Sequence, residues 1–392
     1  MKKSNASLYS ARLRKSWTRE FVSQKVGVSL NTYIRWETGL QTPRTASLQA
    51  LCEIFAMSPE ELGFDENPDA RPDGTLEKVG PGHSPLPLPP QPRAEMNRIS
   101  DTLVSWAESM EVCWKVYMQG GHEEIEKQLP DYFRNLKGPA LFPGPSQVRA
   151  AHILSEAHQL HALLKLHRAD FIAAQTGCAQ AIIHSQLAND WNIYIAAQLR
   201  MATILNYHKQ PTAALNAYQE ALRRINGTHQ YISPLLHSWT FAGIGLMYAA
   251  LGGEKDAMQY LQLAMATFPE QPEEDLAYNY TRMDYSQLML YEGLILLRLG
   301  QPQFAWNAFA QIDEFRPAIP RRLRTEVLYQ KACTALALGH MVQCCVYLEA
   351  AVKAAREIKS IYFLNESFAL YEQLLSFWGQ ESRVRVLAKL FP

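Results

Sequence analysis

The sequence is short of most features that mark out a specialised class. Cysteine is scarce, with six in 392 residues: Cys52, Cys113, Cys178, Cys333, Cys344 and Cys345. No C-x-x-C pair occurs and most lie in apolar helical patterns. That excludes a disulfide framework and predicts buried thiols in a reducing cytosol, the neighbours Cys344 and Cys345 included. No apolar run is long enough to span a membrane, and the basic start MKKSNASLYSARLRK has no apolar signal core. Phosphate loops, G-x-S-x-G, H-E-x-x-H and paired Cys/His sites are all missing. No strand alternation shows beyond residue 94. These absences predict an all-α, cytoplasmic protein that is not an enzyme and carries no cofactor.

One cluster tests the absence of metal: His152, His158, His161 and His167 in AAHILSEAHQLHALLKLH. His158 and His161 share a helix face and could hold an ion with Glu156. They fall at packing positions, however, and no cysteine is spaced to complete a site, so packing is the expectation.

Net charge is also lacking, but the zero sum is uneven. Residues 1–64 carry nine Lys/Arg against five Asp/Glu, whereas 65–94 carry three against five and 95–392 carry 26 against 28. A basic head on a mildly acidic body suits a nucleic-acid contact confined to the head. Residues 65–94 hold eight prolines and three glycines without apolar periodicity, which predicts an extended linker. Three parts follow: head 1–64, linker 65–94 and body 95–392.

Short helices can be marked off in the head. Thr18 caps the second, Glu20 sits in its first turn and Gly27 ends it. Ser29 caps the third and Gly39 closes it. A fourth runs over 45–56, and Ser58-Pro59-Glu60-Glu61 is a capping box that opens a fifth. In the third helix Tyr33 and Trp36 lie on one face, while Leu30, Asn31, Ile34 and Arg35 lie on another. Asn can pair bidentately with adenine and Arg with guanine, and apolar side chains pack on thymine methyls.

The stretch WTREFVSQKVGVSLNTYIRWETG followed by TPRTASLQALCEIFAMSPEEL resembles the DNA-binding domain of the phage Cro/CI repressor family, the xenobiotic-response-element type. The resemblance implies that Ser29 to Thr38 is a recognition helix lying in the major groove of double-stranded DNA. Leu30, Asn31, Thr32, Ile34, Arg35, Thr38 and Arg44 would then face DNA. It also implies that Glu37 pairs with Arg12 to brace that helix. The family usually has glutamine where this chain has Arg19; that position contacts phosphate or an outer base, so the arginine implies stronger phosphate contact and relaxed specificity there.

The body repeats a spacing in which a small residue is followed by another twelve positions on. Ala162 and Ala174, Ala202 and Ala214, Gly245 and Ala257, Gly293 and Ala305, and Ala332 and Cys344 all obey it. Four residues further come Cys178, Tyr218, Leu261, Phe309 and Leu348, and three beyond those Ala181, Ala221, Ala264, Ile312 and Ala351. Small residues there let paired helices approach closely. The pattern resembles the tetratricopeptide repeat, although the second small residues are 40, 43, 48 and 39 apart against roughly 34 in that family. Residues 96–136 and 361–391 read as an opening and a closing pair.

The resemblance implies a superhelix whose inner wall comes from the first helix of each pair, with Leu199, Asn206, Trp239, Leu246, Gln287, Leu294, Arg298 and Tyr329 along a groove for a peptide or protein. A Cro-type head joined to such repeats is similar to the peptide-pheromone receptors of Gram-positive bacteria. That implies a ligand-responsive, homodimeric transcriptional regulator. The alternative is a DNA-anchored scaffold or adaptor that recruits a protein without sensing a ligand.

Overall fold

The computed structural model describes residues 5–15, 17–28, 30–39, 41–64, 92–144, 146–314 and 319–391. Among them are nineteen α-helices and no strand. The chain divides into two compact units, 1–87 and 88–392. Of the stretch read as a linker, residues 65–91 lie outside the described residues, and a helix already begins at Pro92.

The first unit contains α1 (Ala6–Arg14), α2 (Arg19–Val26), α3 (Leu30–Glu37) and α4 (Thr45–Phe55). Thr18 Oγ1 accepts the amide of Phe21, which fixes the start of α2. At its end Gly27 takes φ +74°, and the Val28 amide donates back to the Ser23 carbonyl at 3.0 Å. A side chain rarely tolerates that left-handed backbone, so glycine supplies the stop. Leu8, Val22, Tyr33, Trp36, Leu51, Phe55 and Leu62 form the core.

The expected fifth helix is a correction. Both reciprocal bonds of the capping box form, Ser58 N to Glu61 Oε2 at 2.8 Å and Glu61 N to Ser58 Oγ at 3.3 Å. Yet only one turn closes, because Gly63 takes φ +77° and Phe64 folds back with its amide on the Pro59 carbonyl.

The second unit is a stack of helix pairs: α5 (Pro92–Met118) with α6 (His122–Leu141), α7 (Gln147–His167) with α8 (Phe171–Ala188), and α9 (Trp191–Tyr207) with α10 (Pro211–Gly227). Next come α11 (Pro234–Ala250) with α12 (Glu254–Thr267), the short α13 (Tyr278–Thr281), and α14 (Tyr285–Arg298) with α15 (Pro302–Ala310). The stack ends in α16 (Arg321–Ala337) with α17 (Met341–Glu357), and α18 (Ile361–Trp378) with α19 (Ser382–Val386). Every small residue of the twelve-residue spacing is buried within its pair. A bond the spacing did not announce recurs beside them: Ser155 Oγ donates to the Ala181 carbonyl at 2.9 Å, and Ser238 Oγ to that of Ala264 at 2.8 Å.

Gly293 shows how tight the pairing is. A Cβ built on it would fall 2.2 Å from the Phe309 ring, and Phe309 is fully buried. Gly293→Ala is therefore expected to destabilise the body by about 1–3 kcal/mol. Gly227→Ala, which meets nothing within 4 Å, should be close to neutral; scanning calorimetry of the two variants checks the contrast.

The stack closes on itself. His167 at the end of α7 bonds through Nδ1 to Ser360 Oγ, the cap of α18, at 2.9 Å. Arg322 of α16 donates from Nε to the Tyr117 carbonyl of α5 at 2.5 Å, and Lys359 pairs with Glu123.

Candidate functional site

Two places in the molecule gather the residues singled out by sequence. In the head, Tyr33 and Trp36 face the core and their rings meet edge to face at 6.3 Å. Leu30, Arg35, Thr38 and Arg44 are exposed, while Thr32 and Ile34 are half-buried. Asn31 belongs to α3, but its side chain lies outside the described residues, as does all of Ser29. Thr38 Oγ1 donates to the Ile34 carbonyl at 2.9 Å and so finishes the helix.

Behind α3, Arg12 Nε donates to Glu37 Oε1 at 2.5 Å and Arg12 Nη1 to the Trp17 carbonyl at 2.9 Å. One guanidinium thus ties α1 and the turn before α2 to α3. Arg19 also reaches the brace, its Nε 2.8 Å from Glu37 Oε2, while its side chain stays 39% exposed. A buried carboxylate with room for two arginines draws in the nearer cation before any phosphate is present. Burial alone would raise the Glu37 carboxyl, but the hydrogen bonds from Arg12 and Arg19 outweigh it and hold the group below the usual range.

The second place is a cavity of about 350 Å³ inside the body. It is lined mostly from the first helices of successive pairs, with Tyr218 of α10 and Thr281 of α13 among the rest. Asn206, Trp239, Leu246, Gln287, Leu294, Arg298 and Tyr329 all contribute. Leu199 is a correction, being fully buried in the stack. Consecutive helical residues point about 100° apart, and its neighbour Arg200 lines the cavity instead.

Polar groups on the wall are tied to one another. Trp239 Nε1 donates to the Tyr291 hydroxyl at 2.8 Å, the Tyr207 hydroxyl to Glu326 Oε1 at 2.6 Å, and Arg298 Nη2 to Asn206 Oδ1 at 3.3 Å. Lys209 pairs with Glu366 at 3.0 Å. Burial raises the Glu326 carboxyl and lowers the Arg322 guanidinium to about 10, which leaves it charged at neutral pH.

Sequence reasoning missed Arg200, Arg322 and Glu326. For Arg200 a signal existed, a lone charge inside the apolar run IAAQLRMATIL. Arg322, in a run of arginines, gave none.

The histidines of α7 have protein partners: His152 meets Glu156 and Asp190, and His167 meets Ser360. His158 stacks on His184 with ring centroids 5.2 Å apart and on Phe133 at 4.5 Å. Among the described residues no group of three or more His, Cys, Asp or Glu could hold a metal, and no helix is long and apolar enough to cross a membrane.

Burial holds His122 and His158 down to about 3 and lowers His161, His167, His184 and His237 as well. The folded body therefore takes up protons on these rings only at a lower pH than the unfolded chain, which protonates them near pH 6.5. Below that pH the unfolded state binds more protons, so stability is lost as pH falls. His152 runs the other way. Burial opposes its charge, but Asp190 at 3.2 Å and Glu156 at 3.3 Å outweigh burial and raise it to about 10. Its contribution is present below pH 6.5 and fades as pH rises towards 10. With six rings against one, the melting temperature of the body should fall between pH 6.5 and 5; a rise in calorimetry would contradict this.

Residues 8–62 match a helix-turn-helix family model and form a helix-turn-helix domain. No curated protein matches the chain. Among solved structures, a tetratricopeptide repeat protein from Parabacteroides merdae ATCC 43184 is similar at 14% identity, covering 60% of this chain and 98% of that one with a TM-score of 0.27. The tetratricopeptide repeat domain of P58(IPK) is similar at 14% identity, covering 76% of this chain and 82% of that one with a TM-score of 0.23.

Proposed function

We propose that the protein is a sequence-specific, DNA-binding transcriptional regulator whose body senses a peptide or protein partner and mediates dimerisation. The observation that carries this reading is α3, which is bolted from behind by buried Glu37 and turns Leu30 and Arg35 to solvent. A rigid helix with an arginine and an apolar contact on its free face is what base-edge readout in a major groove needs. The positions of Asn31, Thr32, Ile34, Thr38 and Arg44 on or beside α3 suit the same role, and the 39% exposed Arg19 side chain suits a phosphate contact. The walled cavity supports the sensing half of the reading. Its occupant would favour one arrangement of the stacked pairs, and so one spacing of two heads in a homodimer.

The test is selection of bound fragments from random DNA by the intact protein and by an Asn31→Ala/Arg35→Ala double variant. One partly palindromic motif is expected from the parent. The variant should lose the motif yet keep weak binding that falls steeply with salt, since phosphate contacts release counterions. If neither protein enriches any sequence, the regulator reading fails, and exposed Leu30 becomes part of a protein interface in an adaptor.

A further inference from the structure

We propose that the body cavity receives a short ligand carrying a free carboxylate on an apolar or aromatic frame, with Arg200 and Arg322, which both line it, as the cations that attract the carboxylate. This rests on the reading of the body as a sensor and names the chemistry sensed.

Two charges lie in the wrong solvent. Arg200 is 8% exposed and Arg322 6% exposed. What touches them in the described structure is uncharged. Arg200 Nη2 donates to the Tyr280 carbonyl at 3.1 Å, and its guanidinium lies over the rings of Trp239 at 4.7 Å and Trp114 at 5.5 Å. Arg322 donates to the Tyr117 carbonyl, lies over the Tyr117 ring at 3.4 Å and meets His122 Nε2. Arg200 Nε and Arg322 Nη1 are buried with no hydrogen-bond partner. A buried cation without a counter-ion is strongly destabilising, and a guanidinium does not escape by losing its proton.

The cavity's own carboxylates do not answer these charges. Glu326 stands one turn from Arg322 on α16 but accepts from the Tyr207 hydroxyl, and Glu366 takes Lys209. The nearby imidazoles of His122 and His167 are held neutral by burial. The missing partner is therefore an anion from outside. A carboxylate matches the planar guanidinium fork in a bidentate, charge-assisted way.

The cavity wall also carries Leu246, Leu290, Leu294 and Tyr291, apolar surface for the rest of the ligand. Size sets the limit. About 350 Å³ is near the lower end for ligand pockets, and the bonds joining α5 and α7 to α16 and α18 close the wall. The last residues of a short peptide fit, and so does a free aromatic acid.

Calorimetric titration of the intact protein separates the outcomes. The probes are the tripeptide Ala-Leu-Phe as free acid, the same tripeptide as C-terminal amide, and 3-phenylpropanoate. An acid is expected to bind at least about tenfold more tightly than the amide, the scale of one charge-assisted bond. Binding by the tripeptide acid alone assigns a peptide terminus, and binding by 3-phenylpropanoate assigns a free acid; either result supports the proposal. Arg200→Met and Arg322→Met should each weaken binding by about tenfold or more; Arg200→Met should do so without lowering the melting temperature, because it removes an unanswered buried charge, whereas Arg322→Met also breaks the bond to the Tyr117 carbonyl that closes the stack. Arg200→Lys should keep part of the affinity.

Acid and amide binding alike would overturn the proposal, as would no acid binding at about 10 mM or variants that melt lower but bind normally. An acid that binds but leaves DNA affinity unchanged would uphold the site and sink the sensor reading. DNA selection that succeeds while no acid binds would do the reverse.

Discussion

Glu37→Ala is expected to bring the head to the edge of unfolding and to weaken DNA binding with it, although Glu37 faces away from the exposed side of α3. The side chain of Glu37 is 1% exposed and that of Arg12 9%. Removing the carboxylate leaves Arg12 buried and unanswered, a change that costs about 3–5 kcal/mol. Arg19 is exposed enough to hydrate and adds little. The head is small, and domains of about 60 residues bury only about 60% of the surface their unfolded chains expose. Against a total stability of roughly 5 kcal/mol or more, a loss of this size leaves the folded state barely favoured. Hydrogen exchange on the intact chain reads the outcome locally: amides of α1 to α4 should lose protection while those of α7 to α17 keep theirs. Glu37→Gln, which can still accept a hydrogen bond, should fall between parent and alanine. If α3 stays protected in Glu37→Ala, the brace is not what holds it.

The second large effect lies in the body, at an ion pair that sequence reading did not find. Lys331 of α16 places Nζ 2.7 Å from Oε2 of Glu314, which follows α15, and both side chains are almost wholly buried. Lys331→Met strands the carboxylate and should cost about 3–5 kcal/mol. The double variant Lys331→Met/Glu314→Leu removes both charges and should return to within about 1 kcal/mol of the parent, or exceed it, because a buried pair gains little over apolar packing. Urea unfolding followed by circular dichroism gives both numbers. A single variant as stable as the parent would mean that water reaches the pair.

The lesson of the capping box is that a local signal fixes a start and not a length. Ser58 and Glu61 exchange both bonds the sequence announces, yet the chain leaves the helix after one turn to bury Leu62 and Phe64. Helix stability in proteins comes mostly from packing of a face, and no face is offered there.

What the sequence determined by itself is what depends on near neighbours and periodicity. Thr18 and Gly27 bound α2, Tyr33 and Trp36 turn inward, and small residues twelve apart mark where paired helices touch. The phase of α9, the sharing of Glu37 by Arg19 and the closing of α5 and α7 onto α16 and α18 were decided only by the tertiary structure. Each depends on which distant group arrives within about 3 Å, the reach of a hydrogen bond. Arg200 and Arg322 stand 122 positions apart in sequence, and no local pattern says that they line one cavity.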